Sequence, residues 1–232
     1  MFMSSRRVGG LAGLGFVATV LTVNIIQGAV GQPMAGASKS DMLEFYADNR
    51  GVLDLVTGTA PVAWITLILF AAGVVAALRP HERLSGDTWS LAGFGGVVMQ
   101  SAIFPGVVAT QAALSSGTLS DESAWALWQV HNGLFTLNTM SLAIVLLSFS
   151  IGGSRAGLIR GWQKKVGLVA AATMAAAAVL TPVSLDGSPV GLLGFGGFIL
   201  WLVFIASTSV RLLRGDAVRT EATAIPELVH AS

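Results

Sequence analysis

The sequence predicts an all-α, polytopic membrane protein: a bundle of six transmembrane helices with both termini on the cytoplasmic side. Three observations predict it. The chain is too poor in charge to coat a water-facing globule, it contains six long apolar runs, and its basic residues alternate between the connecting loops. Of its 232 residues, 53% are hydrophobic and 11% charged, with a mean hydropathy of +0.75. Soluble domains carry about 25% charge, so most of this surface faces hydrocarbon.

About 20 apolar residues cross the roughly 30 Å hydrocarbon layer as a helix. The spans are read at about 8–30, 52–78, 89–114, 124–151, 166–183 and 190–213. Helix is required because lipid offers the backbone no hydrogen-bond partner. The period-two alternation of a barrel strand is absent.

Orientation follows from the basic residues. Arg6 and Arg7 precede span one; Arg79 and Arg83 separate spans two and three. Arg155, Arg160, Lys164 and Lys165 separate spans four and five, and Arg211, Arg214 and Arg219 follow span six. The opposite side has Lys39 and Arg50 out of 13 basic residues. The heavily basic side is cytoplasmic by the positive-inside rule. This places the chain in the bacterial cytoplasmic membrane, with 1–214 as one domain and 215–232 as a short, polar, partly disordered tail containing Pro226. The first run is longer than a signal-peptide core and lacks a clear small-x-small cleavage site, so it reads as an uncleaved helix.

The outer loop, 31–51, is broken by Gly31, Pro33 and Gly36. Start signals at Ser38–Asp41, a capping box from Asp41 to Glu44, and Met42, Phe45, Tyr46 and Asn49 at helical spacing predict a short interfacial helix. It reads either as a lid over an outer pocket or as an amphipathic connector.

Four-residue glycine spacings (Gly9/Gly13, Gly153/Gly157, Gly157/Gly161) predict close helix packing within the bundle, or alternatively a homodimer face. Leu91-Ala92-Gly93-Phe94-Gly95-Gly96 recurs nearly as Leu192-Leu193-Gly194-Phe195-Gly196-Gly197, through an internal repeat or through composition alone. Pro61 and Pro105 are expected to kink spans two and three.

Polar residues in the apolar runs are the candidate ligand-binding set: Asn24, Gln27, Asp54, Gln100, Gln111, Trp128, Gln129, His131, Asn132 and Asn138. Nearly all map to the outer half of spans one to four. They predict an outward pocket for a small polar or amphipathic ligand, with spans five and six as apolar support. On span four, Trp128, His131 and Asn138 share a helix face, with Phe135 between the last two, and Gln129 and Asn132 form the neighbouring stripe. For a single amide, hydrogen bonding between helices is the competing reading. Asp54 and His131 are the ionisable pair, a pH-sensitive dyad if they meet.

The inventory argues against several chemistries. His131 is alone in the spans, so a bis-histidine haem lacks its second ligand. No span holds a Lys for a retinal Schiff base, and no zinc cluster or nucleophile elbow is present. No cofactor and no metal site are expected. With no cysteine, disulfides and thiolate chemistry are excluded. A net charge of +1 gives no drive toward nucleic acid.

Phe45-Tyr46-Ala47-Asp48-Asn49-Arg50-Gly51, running through span two to Leu78-Arg79, resembles small actinobacterial multi-pass membrane proteins of unknown function. Leu200-Trp201-Leu202-Val203 through Val210-Arg211-Leu212-Leu213-Arg214 is similar to the same group's last helix. The resemblance implies the multi-pass topology and carries no activity. Three functions follow as expectations. The first is a ligand-binding or permease-like protein. The second is a non-catalytic accessory or scaffolding subunit bound to a membrane partner. The last and weakest is an enzyme acting on a lipid-borne substrate.

Overall fold

The structure, a computed structural model, describes residues 3–215. The expected cytoplasmic tail falls outside them apart from Gly215. Among the described residues the fold is helical throughout: α1 (Ser5–Ala29), α2 (Lys39–Asp48), α3 (Arg50–Ser85), α4 (Trp89–Ser115), α5 (Asp121–Leu137), α6 (Thr139–Arg155), α7 (Gly161–Val179), α8 (Thr181–Leu185) and α9 (Gly191–Arg214).

Five stretches are long and apolar enough to cross a membrane: α1, α3, α4, α5 with α6 taken together, and α9. The run expected at 166–183 falls on α7 and α8. Its helix begins five residues earlier than expected, so Gln163, Lys164 and Lys165 enter the first turns and lower its apolar character. α3 is 36 residues long, about 54 Å at 1.5 Å per residue, and carries the second span well past the hydrocarbon.

Helices run unbroken through Pro61, Pro80 and Pro105. The fourth span carries a one-residue turn at Asn138, whose backbone stays in the right-handed helical region. There, side chains compete for the helix carbonyls. Ser141 Oγ donates to the Asn138 carbonyl at 2.6 Å, and Thr139 Oγ1 donates to the carbonyls of Thr136 (2.6 Å) and, on α7, Met174 (2.9 Å).

The long helices close a ring: α1 packs on α3, α3 on α4, α4 on α6, α6 on α7, α7 on α9, and α9 back on α1. The main core fills the Arg-rich half, with Phe70, Val74, Leu146, Phe149, Phe204 and Ile205 at its centre. A second, smaller core lies at the Lys39 end, where Met42, Phe45 and Tyr46 of α2 meet Leu53, Leu114, Ala124 and Trp128.

Glycines set the closest helix crossings. A Cβ on Gly9 would lie 2.6 Å from the Gly73 Cα, and one on Gly93 would lie 2.3 Å from the Phe149 ring. Gly13 faces Phe70 and Ser209, and Gly96 faces the Ser141 carbonyl. The two LxGFGG stretches present the same faces. Gly93 and Gly96 point into the bundle, as do Gly194 and Gly197, while Gly95 and Gly196 meet nothing. Spacing of three residues puts the first and last glycines of each stretch on one helix face. The expected 153/157/161 packing face does not form. Gly157 sits in the α6–α7 turn at φ +75°, which needs glycine, and Gly161 faces open space.

Polar straps close the Arg-rich end. The buried Glu82 carboxylate accepts from the Ser90 N–H (2.6 Å) and the Ser90 hydroxyl, satisfying the start of α4. Arg155 pairs with Asp87 at 2.8 Å, and its guanidinium holds the Asp87 carboxyl below the usual carboxylate range. Arg211 donates to the Leu158 and Gly157 carbonyls.

Because the Gly9 crossing is backbone against backbone, Gly9→Ala should cost about 1–3 kcal/mol through overpacking. Gly95→Ala should be neutral or slightly stabilising. Thermal unfolding of both variants in one detergent checks the contrast, and equal midpoints would refute the crossing.

Candidate functional site

Where α4 passes α5 and α6, the two strands of the seam run antiparallel. Gly96 meets the Ser141 carbonyl, the Phe104 and Phe135 rings lie 6.3 Å apart, and His131 reaches Val107 and Thr110. Carried along both helices, that register sets Gln100 level with Asn138, and Gln111 level with Trp128. Five of the expected residues therefore share one seam: Gln100, Gln111, Trp128, His131 and Asn138. All five are buried.

His131 is fixed by its partners. Its Nδ1 lies 3.1 Å from the Val107 carbonyl and 3.0 Å from Thr110 Oγ1. The Thr110 hydroxyl already donates to the same carbonyl at 2.8 Å. Nδ1 therefore carries the hydrogen, and Nε2 keeps the lone pair. Trp128 stacks on the imidazole at 5.6 Å between centroids, 9° from parallel. Tyr46 then meets Trp128 edge-on at 5.9 Å. An aromatic column thus runs from α2 down to His131.

The column is short of hydrogen bonds. Tyr46 OH, Gln111 Nε2, Trp128 Nε1 and Asn132 Nδ2 are buried without a partner, and so is Gln100 Oε1 deeper in the seam. An unmade hydrogen bond on a buried polar group costs about 1–3 kcal/mol. Four such groups, all able to donate, lie near one end of the bundle. Burial also pushes the Tyr46 hydroxyl well above its ordinary range, so it stays a neutral donor.

Asn132 is buried on the stripe of α5 next to His131, and the other four expected residues lie outside the seam. Asn24 is exposed on α1, where its Nδ2 donates to its own helix at Val20 (2.8 Å). Gln27 is half-buried on the same helix, which packs on α3 and α9. Asp54 is exposed on α3, 3.4 Å from Ser115 Oγ. It forms no ion pair with His131 among the described residues, because the imidazole is turned toward α4. Gln129 is half-buried beside the column. The region expected between four spans contracts to the α4–α5 seam under α2.

α2 starts at Ser38, whose Oγ accepts from the Asp41 N–H at 3.1 Å, one turn ahead of the expected Asp41 cap. Lys39 pairs with Glu122 at 2.5 Å, tying the start of α2 to the start of α5. Arg50 Nε donates to the Ser115 carbonyl at 2.6 Å and satisfies the end of α4.

Sequence reasoning left Tyr46, Thr110 and Arg50 out of the site. Tyr46 had a signal, as the chain's single tyrosine on the apolar face of a short polar helix. Thr110 had none, since its role comes from the register between two helices. Among the described residues no three His, Asp or Glu side chains converge to hold a metal. Comparison with family models, curated proteins and solved structures gave no match.

Met42 is fully buried beneath α2. Met42→Ala should cost about 2–5 kcal/mol locally. Faster hydrogen exchange is expected across 39–48, with exchange in the main core unchanged. Uniform protection of α2 in the variant would count against a separately docked helix.

Proposed function

We propose that the chain is a membrane binding protein or permease, not an enzyme. Its site is the α4–α5 seam, and α2 is the lid. The observation that carries this reading is the set of buried, unpartnered donors around the aromatic column: Tyr46, Gln111, Trp128 and Asn132. They suit a small amphipathic ligand that presents carbonyl, ether or hydroxyl oxygens to the donors and an apolar body to the rings. Of the nearby cations, Arg50 is committed to the Ser115 carbonyl and Lys39 to Glu122, which favours an uncharged ligand.

In this reading the ring of α1, α3, α4, α5–α6, α7 and α9 is a bundle of six spans. Both ends lie on the cytoplasmic side of the bacterial inner membrane, as the Arg-rich loops indicate. Lys39 and the lid then face outward. The cysteine-free sequence makes the test clean. On intact cells, an impermeant maleimide should label Lys39→Cys and leave Arg160→Cys unlabelled. The reverse pattern would invert the topology.

The site has a test of its own. Gln111→Leu and Asn132→Leu each remove an unpartnered polar group, so both variants should melt higher than the parent by about 1–3 kcal/mol. They should also lose thermal stabilisation by acceptor-bearing amphiphiles. If the amides instead hold helices together, both variants melt lower, and the ligand reading falls.

The accessory-subunit reading has one observation of its own. Leu91, Gly95 and Val98 on α4, and Leu192, Phe195, Gly196 and Ile199 on α9, form outward apolar faces with small residues among them. Recovery of a stoichiometric membrane partner in mild detergent, lost on Gly95→Phe or Gly196→Phe, would support it.

A further inference from the structure

At the Arg-rich end, far from the aromatic column, the start of α7 and the end of α9 form a shallow groove of about 200 Å³. Arg160, Trp162, Gln163, Ser207, Val210, Arg211 and Arg214 line it, and none of its lining residues is acidic among the described residues. Sites for drug-sized ligands run to about 300–1,000 Å³, so this one suits a single small polar group.

Its chemistry is that of an anion site. α7 is a 19-residue helix with no acidic residue in its first turn, so its positive end is uncompensated from within. Gln163 supplies an independent sign. Its side chain is 1% exposed, and its Oε1 accepts from the Arg160 N–H at 2.9 Å. That bond fixes the amide and leaves Nε2 buried and without a partner, on a residue that lines the groove. Arg211 is held in place by the Leu158 and Gly157 carbonyls. Arg160 and Arg214 are exposed and make no ion pair among the described residues.

The position selects the kind of anion. Trp162 is 51% exposed beside Arg160, the amphipathic aromatic placement of a membrane interface. Along α9 the groove continues from Arg214 through Arg211 and Val210 to Ser207, so that Val210 and, on α7, Trp162 form its apolar wall. A soluble anion has no use for that wall, whereas a lipid lays its glycerol and first methylenes there. Basic pockets between membrane helices recognise anionic headgroups in this way. We propose that this groove binds the phosphate of an anionic phospholipid. Arg160 and Arg214 supply charge, Gln163 Nε2 donates one hydrogen bond, and Trp162 packs on the lipid's glycerol region.

The test uses the full chain in a neutral detergent, titrated with phosphatidylglycerol, phosphatidylcholine and inorganic phosphate. Retained lipid is read by native mass spectrometry, and stability by the unfolding midpoint. Phosphatidylglycerol should be retained and raise the midpoint, phosphatidylcholine should do neither, and inorganic phosphate should not displace the bound lipid. Arg160→Ala and Arg214→Ala should each weaken retention about fivefold, the effect of one surface charge. Gln163→Glu keeps the acceptor for the Arg160 N–H but replaces the donor with a negative charge. It should weaken retention further. Undiminished retention in the Arg160→Ala/Arg214→Ala double variant overturns the proposal, as does full displacement by inorganic phosphate. Retention that appears only after removal of 216–232 also overturns it, by assigning the groove to the chain's own Asp216, Glu221 or Glu227.

Discussion

Close backbone approach is the constraint on which this fold rests. In lipid, burying apolar surface against another helix gains little over leaving it among acyl chains, so contact distance does the work. Gly9 against Gly73 brings α1 onto α3, and Gly93 with Gly96 seats α4 against Phe149 and Ser141 of α6. These crossings fix two sides of the ring. They also fix the register along α4, and that register brings Thr110 to His131 and sets Gln111 level with Trp128. The geometry of the site is thus inherited from glycines three to five turns away.

Much of this was legible in the sequence, for reasons that differ by element. α4 and α9 fall within a residue of their expected limits, because a polar residue or loop bounds each apolar run sharply. The second and fourth runs end less sharply, and their helices continue into water as Pro80 and Arg155 are added to the last turns. The turn at Asn138 was not legible. It depends on Thr139 reaching the Met174 carbonyl across to α7, a contact that no local pattern announces. The glycine triplet at 153, 157 and 161 misled, because spacing within the sequence does not reveal that a turn begins at Gly157.

For the site, the shared face of Trp128, His131 and Asn138 was readable from helical periodicity alone. That α1 would contribute nothing was not readable. Asn24 and Gln27 are polar at the expected depth, yet α1 turns its buried face to α3 and α9 through Gly9, Gly10 and Gly13. Polarity finds residues that need a partner, while packing decides whether the partner is a neighbouring helix, the residue's own backbone or a guest. Asn24 takes the second route, through the Val20 carbonyl. Gln163 also turns to its own helix, where its oxygen accepts from the Arg160 N–H, and leaves its nitrogen unserved. The outer donors of the column are left wholly unserved.

That difference bears on how the proposed site would work. The second core, with Met42 and Leu53 fully buried, must part before anything reaches Trp128. A lid of this size opens at a cost set by the apolar area it re-exposes, about 25 cal/mol per Å². The apparent affinity of any guest is reduced by the fraction of time the lid stands open. The unpartnered donors offset that cost on the other side of the equilibrium. They raise the energy of the closed, empty bundle and lower that of the filled one, because only the filled one completes their hydrogen bonds. A sequence selected for stability alone would place leucine at 111 and 132. In the proposed reading, amides there keep the closed, empty state from becoming too stable to open.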